Sequence, residues 1–360
     1  MQLSSTLKAV ALGLSLAIGP AGALAQDREQ VNLVHALPQL SPSFAIASSL
    51  PAHLGFWEEE GLDVEVNTTP GSAAAIQLVL GRQADIAYGN PLTAMITRQK
   101  GGNLVFYYTS LRGDIFGIAL PAGKGLESLE DLRGKTIGVS SFASGGTPYA
   151  RSLLATVGLE EGRDYNLVEI GVGGRAAAAL QGGEVHALSL WDEAYRQMEL
   201  AGIEFAQVIK DPRAKDHIAG SLSVNEEDLE NRRDVLIGVA RGIAKAQLFQ
   251  EVNPEASVLI HWKVYPQSMP RGGQTEEEVK KAADVVSVRR HIQSEEAMGT
   301  GRYGDVPAEN MESFQQYLKD TGQLEELIDV SRYYTNDMIA EINDFDRQAI
   351  IDMAKNYKLD

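Results

Sequence analysis

One pattern occurs twice in this chain and limits what the chain can fold into. Gly71, Ala74, Ala75, Leu78 and Gly81 match Gly173, Ala176, Ala177, Leu180 and Gly183 at one fixed offset, giving the string G-x-x-A-A-x-x-L-x-x-G in both places. Its physics is local. The first glycine lets the chain turn tightly into a helix, the alanines let that helix lie close to a sheet, and the last glycine stops it. Apolar segments that read as strands flank each copy: Leu62–Thr68 and Ala84–Tyr88 around the first, Asp164–Ile170 and Val185–Leu190 around the second. A chain that repeats such a unit is expected to build two similar α/β lobes rather than an extended repeat array.

The rest of the chain reads consistently with that expectation. Strands at Val31–Ala36 and Leu104–Ser110, with helices at Phe44–Phe56, at Ser72–Leu80 and after Asn90-Pro91, complete a βαβαβ order for lobe one. Phe116–Leu120 and Lys135–Ser140 read as strands of lobe two and Gly145–Val157 and Arg175–Gln181 as its helices; Ile218–Val224 reads as a strand of the return to lobe one. Each lobe is therefore expected to hold a mostly parallel sheet flanked by helices. Lobe one should take residues 26–114, lobe two 115–218, and residues 219–360 should return to lobe one and add helices at Asp234–Glu251, Glu276–Val288 and Met311–Thr321. Two crossings make a hinge, and a hinged pair of lobes makes a cleft that can close on a ligand.

Residues 1–25 have the three parts of a cleavable export signal: Lys8, an apolar run from Ala9 to Ile18, and the small-x-small site Ala23-Leu24-Ala25. The run is too short to span a bilayer, which takes about 20 residues. There is no cysteine, so disulfides, thiolate metal sites, a cysteine nucleophile and a lipidated N-terminal cysteine are all excluded. The mature protein is expected to be a soluble, unanchored, monomeric protein of the periplasm. The formal charge of −17 becomes −18 on loss of Lys8, which disfavours nucleic acid as a partner.

Few motifs suggest catalysis or a cofactor. The six histidines show no compact metal spacing, and there is no G-x-S-x-G elbow. Gly171-Val172-Gly173-Gly174-Arg175-Ala176 formally fits a dinucleotide fingerprint, but it lacks the first-strand context and an evident ribose-binding acid and reads rather as a glycine turn closing onto an Ala-rich helix, whose exposed N–H groups could hold a small anion. Ser140–Thr147 lies between a strand and a helix. Its Ser141, Ser144 and Thr147 hydroxyls, with Phe142 and Gly145, suit a carboxylate or sulfonate, or simply cap their own helix. Ligands of open α/β sheets sit at the C-terminal ends of strands. That rule nominates Gln39, Ser41 and Phe44, then Gly71 and Ser72, Asn90, Ser110 with Arg112, and Trp191-Asp192. Phe44, Phe142 and Trp191 could clamp an apolar ligand body, and Arg175 or Arg112 could pair with its charge.

Several segments together resemble the solute-binding proteins of ABC importers, in the branch of sulfonate, taurine, nitrate and thiamine-pyrimidine binders. They are HLGFWEEEGLDVEV (His53–Val66), GSAAAIQLVLGRQADIAYGNP (Gly71–Pro91), LESLEDLRGKTIGVSS (Leu126–Ser141), AAAALQGGEVHAL (Ala176–Leu188) and YYTNDMIAEINDFD (Tyr333–Asp346). The resemblance implies a type II periplasmic binding fold, capture of a small organic anion between the lobes, and delivery to an inner-membrane permease with a cytoplasmic ATPase. Family members that make the thiamine pyrimidine use a cysteine-rich site, which this chain cannot form. A non-enzymatic binder is expected, with no cofactor. The rival readings are an exported enzyme using Asp192, His186 or His217 as a general base, uptake of a pyrimidine-type vitamin precursor, and a ligand sensor for a membrane receptor.

Overall fold

The computed structural model describes residues 28–213 and 217–358. The expected export signal, residues 1–25, lies outside them. Lobe one contains strands β1 (Glu29–His35), β2 (Leu62–Thr68), β3 (Ile86–Gly89) and β4 (Leu104–Arg112). Lobe two contains β5 (Phe116–Pro121), β6 (Lys135–Val139), β7 (Tyr165–Glu169), β8 (Ala187–Trp191) and β9 (Phe205–Ile209), after which β10 (Ile218–Asn225) rejoins the first sheet.

The two sheets follow the same plan, β2-β1-β3-β10-β4 and β7-β6-β8-β5-β9. β1 pairs in parallel with β2 and β3, and β6 in parallel with β7 and β8. One strand in each sheet is reversed: β10 runs antiparallel to β3 and β4, and β5 antiparallel to β8 and β9. Both reversed strands are the first that the chain lays down after crossing between lobes. The expected mostly parallel sheets are thus mixed, and the reversal places the start of β5 where the other strands have their ends.

Local chemistry explains most helices. Ser72–Leu80 starts after Gly71, as read from the sequence. Pro91–Gln99 starts with proline in its first turn, and the Asn90 side chain accepts from Leu92 N–H at 2.9 Å. The single helix expected at Phe44–Phe56 is instead a 3-10 turn at Pro42–Ala47, a helix at Ser49–His53 and another at Phe56–Glu59. Ser48 breaks it, with φ −148° and ψ −94°, and Gly55 breaks it again, with φ 76°.

The expected C-terminal helices pack largely on lobe one. Val239, Ile243 and Phe249 of helix Arg233–Val252 share a core with Leu33 and Leu62, while Phe314 and Tyr317 of helix Ala308–Asp320 join Met95 and Phe106. Lobe two has its own cores, around Ile118, Ile137 and Leu153 on one face and Leu180, Leu188 and Met198 on the other. Among the described residues no helix is long and apolar enough to cross a membrane.

Candidate ligand-binding cleft

A cavity of about 50 Å³ lies between the lobes at the strand ends. That is room for about four water-sized groups, taking roughly 10–15 Å³ for each. Phe44, Ser72, Asn90, Ser144, Gly145 and Trp191 all line it, as the sequence nominated. Tyr88, Leu111, Ile115 and Phe116 line it as well and were not foreseen. Tyr88 stands at the end of β3, where the strand-end rule could have found it. Phe116 opens the reversed strand β5 and sits opposite Trp191 in the sheet register, so only knowledge of the reversal would have pointed to it.

Most of the lining is apolar, and none of it is lysine, arginine, histidine, aspartate or glutamate. Its polarity comes from helix starts. Ser72, Asn90, Gly145 and Trp191 are each the cap or first residue of a helix of nine or ten residues: Ser72–Leu80, Pro91–Gln99, Gly146–Ala155 and Asp192–Leu200. A helix N-terminus carries the equivalent of roughly half a positive charge. Here the leading N–H groups are already engaged, Ala73 on Ala143 O, Leu92 on Asn90 Oδ1, Gly146 on Ser144 Oγ and Asp192 on Ile115 O, which leaves the side-chain donors to face the space. Ser72 Oγ accepts from Asn90 N–H and Ser144 Oγ from Gly146 N–H, both at 3.1 Å, so each hydroxyl keeps its own proton to donate. Asn90 uses its Oδ1 as a cap, which leaves its Nδ2 as a donor.

The other nominated residues do different work. Ser141 donates across the cleft to Pro70 O at 2.8 Å, and Thr147 is buried, donating to Ser141 O at 2.9 Å. For these two hydroxyls, sealing and capping account for the positions. Ala73 N–H also crosses to Ala143 O at 3.2 Å. Gly71 lies against the same segment: a Cβ there would stand 2.5 Å from Ala143 O. Ser110 is buried beneath the cavity, 2.6 Å from the Tyr88 hydroxyl and donating to Gly220 O at 2.7 Å, so it supports two lining residues without facing the space.

Four expectations are corrected. Phe142 does not clamp the cavity; it is 53% exposed on the outer surface. Arg112 is committed to Met298 O and to Asn310 Oδ1. Arg175 is exposed and lies outside the cavity lining. Asp192 does not face the cavity: Arg289 Nε donates to its Oδ1 at 2.9 Å. The two histidines raised as general bases also lie elsewhere. His186 accepts from Thr136 N–H at 3.3 Å, and His217 is buried 3.3 Å from Asp114, against Phe314 and Tyr317.

A second, wider chamber of about 220 Å³ adjoins the cavity past Phe44 and Trp191, which line both spaces. Gln39, Ser41, Val172, Glu193 and Gln197 line it. Ser41 donates to Glu193 Oε1 across the lobes at 2.5 Å. Burial pushes the Glu193 carboxyl above its ordinary pKa, against the pull of Arg289 and Ser41.

Two α/β lobes of matching topology, closed over a cavity at their strand ends, define a periplasmic-binding-protein fold. The chain belongs to the NMT1/THI5-like family, whose sequence model matches residues 49–257. Solved structures share the fold at low identity. A protein of Bordetella bronchiseptica RB50 is 19% identical, with 88% of this chain and 98% of that one covered at a TM-score of 0.69. The periplasmic aliphatic sulphonate-binding protein SsuA of Escherichia coli is 16% identical, with 84% and 91% covered at 0.63. The desulfurization enzyme DszB is 16% identical, with 87% and 98% covered at 0.55. Comparison with the curated proteins gives no significant sequence match.

Proposed function

We propose that this chain is the periplasmic substrate-binding component of an ABC importer, that its lobes divide near residues 114 and 218, and that it captures a small organic carboxylate or sulfonate in the cleft. One observation carries the reading: an uncharged, mostly apolar cavity onto which four helix N-termini open. Such a site attracts an anion without a lysine or arginine in its lining, since the helix dipoles and the Ser72, Asn90 and Ser144 side-chain donors supply the positive potential. The acid group would take the inner cavity, with Ser72, Asn90 and Ser144 as donors. An aliphatic or aromatic body would extend between Phe44 and Trp191 toward the wider chamber. The name of the Escherichia coli neighbour, a sulphonate-binding protein, agrees with that chemistry.

DszB shows that this fold also serves enzymes. A general base must come within hydrogen-bond reach of its substrate. Here Asp192 is held by Arg289, and His186 and His217 lie outside the cavity lining, so the arrangement favours binding over catalysis. Export through residues 1–25, a permease partner and a monomeric state complete the reading.

Thermal-shift screening of the mature protein tests it, using propanesulfonate, MOPS and benzoate against their neutral amides and against amines. An acid present at one hundred times its Kd should stabilise the fold by about 2.7 kcal/mol. Stabilisation by neutral or cationic compounds alone would overturn the anion reading.

A further inference from the structure

Arg289 lies beyond the segment matched by the family model, just after the helix Glu276–Ser287. It belongs to the lobe-one side. Gln247 of the long helix donates to Gln293 O at 3.1 Å, and Gln293 donates to Gln250 Oε1 at 3.1 Å, which fixes the turn that holds Arg289. The guanidinium is 1% exposed, and its Cζ stands 4.9 Å from the Phe44 ring centre. Its partners come from the other lobe, where Asp192 and Glu193 open a helix directly after Trp191. Arg289 approaches Asp192 Oδ1 with Nε at 2.9 Å and Nη2 at 2.8 Å, and its Nη1 lies 3.8 Å from Glu193 Oε2. Both acid side chains are buried, at 8% and 3% exposure.

Removing three charges from water is costly unless they meet one another. In this cluster the offsetting attraction crosses between the lobes, so a substitution that removes one partner leaves the others buried and unpaired for as long as the lobes stay together. Neighbouring contacts also cross between the lobes: Ser41 to Glu193, and the exposed pair Arg196–Asp284 at 2.6 Å, which is screened by solvent and adds little. All these contacts are made by the protein to itself, and Trp191 is the residue next to the clasped acids.

We propose that Arg289 is a positioning residue for ligand capture, clasping the acidic start of the lobe-two helix so that the cleft closes with Trp191 already against the ligand space. The proposal rests on the reading of the cleft as a binding site, though not on the ligand being an anion. The clasp raises the share of closed molecules in the free protein. Apparent affinity scales with that share, so a tenfold fall in the closed population weakens binding tenfold.

Small-angle scattering of the mature protein, freed of ligand by unfolding and refolding, tests the clasp without reference to any ligand. The wild type should scatter with a radius of gyration near the roughly 20 Å expected of one compact body of this length. Arg289→Met and the double variant Asp192→Asn/Glu193→Gln should both give a larger radius while keeping the wild-type far-UV dichroism, and Arg289→Lys should fall between. A residue with a merely structural role would lower the melting temperature and leave the scattering curve alone. If Arg289→Met fails to fold, the double variant on the opposite lobe decides the matter. Identical curves for wild type and folded variants would overturn the proposal, as would a wild type that already scatters as an open molecule. The anion reading stands or falls separately in the thermal-shift panel.

Discussion

The two copies of the repeated string build the same local unit and use it differently. Both make a strand, a glycine turn and an Ala-rich helix, at Ser72–Leu80 and Gly174–Gln181. In the first copy Gly71 is extended, with φ 162°, and its backbone lies against Ala143 of the other lobe, while Ser72 lines the cavity. In the second copy Gly173 has φ 61°, with nothing within 4 Å of where a Cβ would stand, and Arg175 is exposed. The first glycine is needed for space between the lobes, the second for its backbone conformation. A repeat therefore specifies a folding unit; the way the lobes face each other decides which copy meets the ligand.

The largest expected contrast between the lobes is in acid. Lobe one contains His35, which is fully buried, with its Nε2 donating to Ala47 O at 3.0 Å, and His261, buried 2.9 Å from Ser49 Oγ; in lobe two His186 is only half-buried, and His217, at the crossing back to lobe one, is buried beside the Asp114 carboxylate. Burial lowers both lobe-one histidines from 6.5 to about 4, against the hydrogen bonds they make. The unfolded chain therefore binds more protons between those values. Stability should be full above about pH 6.5, fall by about 1.4 kcal/mol per pH unit for each histidine, and level off below about 4. Hydrogen exchange at pH 5 should show lobe one losing protection before lobe two, and His261→Gln should flatten the urea-denaturation profile. A profile unchanged by that substitution would assign the acid loss to other groups.

Gly71→Ala and Gly173→Ala separate the two copies directly. At Gly71 the backbone angle suits any residue, and the clash is with the backbone of the other lobe. Overpacking of this kind costs about 1–3 kcal/mol, so ligand affinity should fall by roughly 5- to 150-fold with the melting temperature little changed. At Gly173 the strain is local, about 1–3 kcal/mol, and should appear as lost folding stability with affinity held within about twofold. Calorimetric titration with propanesulfonate beside urea denaturation reads both quantities. Equal effects of the two substitutions would remove the distinction drawn between the copies.

Much of this was legible in the sequence because the signals were local. Leu62–Thr68 and Ser72–Leu80 are bounded by glycines or turns and appear with the limits read from the sequence. Asn90-Pro91 announced a capped helix; of the residues nominated by the strand-end rule Phe44, Ser72, Asn90 and Trp191 line the cavity, as do Ser144 and Gly145 from the Ser140–Thr147 loop. What was missed depends on non-local pairing. The reversal of β5 brings Phe116 to the cavity, and it shows only once β5 is paired with β8. Arg289 meets Asp192 across 97 residues of chain, with no spacing to betray it. Arg175 and Arg112 looked like charge partners because sequence shows charge but not direction; one side chain faces solvent and the other is bound to the C-terminal region.

The most direct test of the central claim is a crystal structure of the mature protein with propanesulfonate. The acid oxygens should lie within about 3.2 Å of donors from the helix starts, Ser72 Oγ, Asn90 Nδ2 and Ser144 Oγ or Gly145 N–H among them. A ligand whose acid group lies instead in the outer chamber, or is paired with Arg175, would contradict the account.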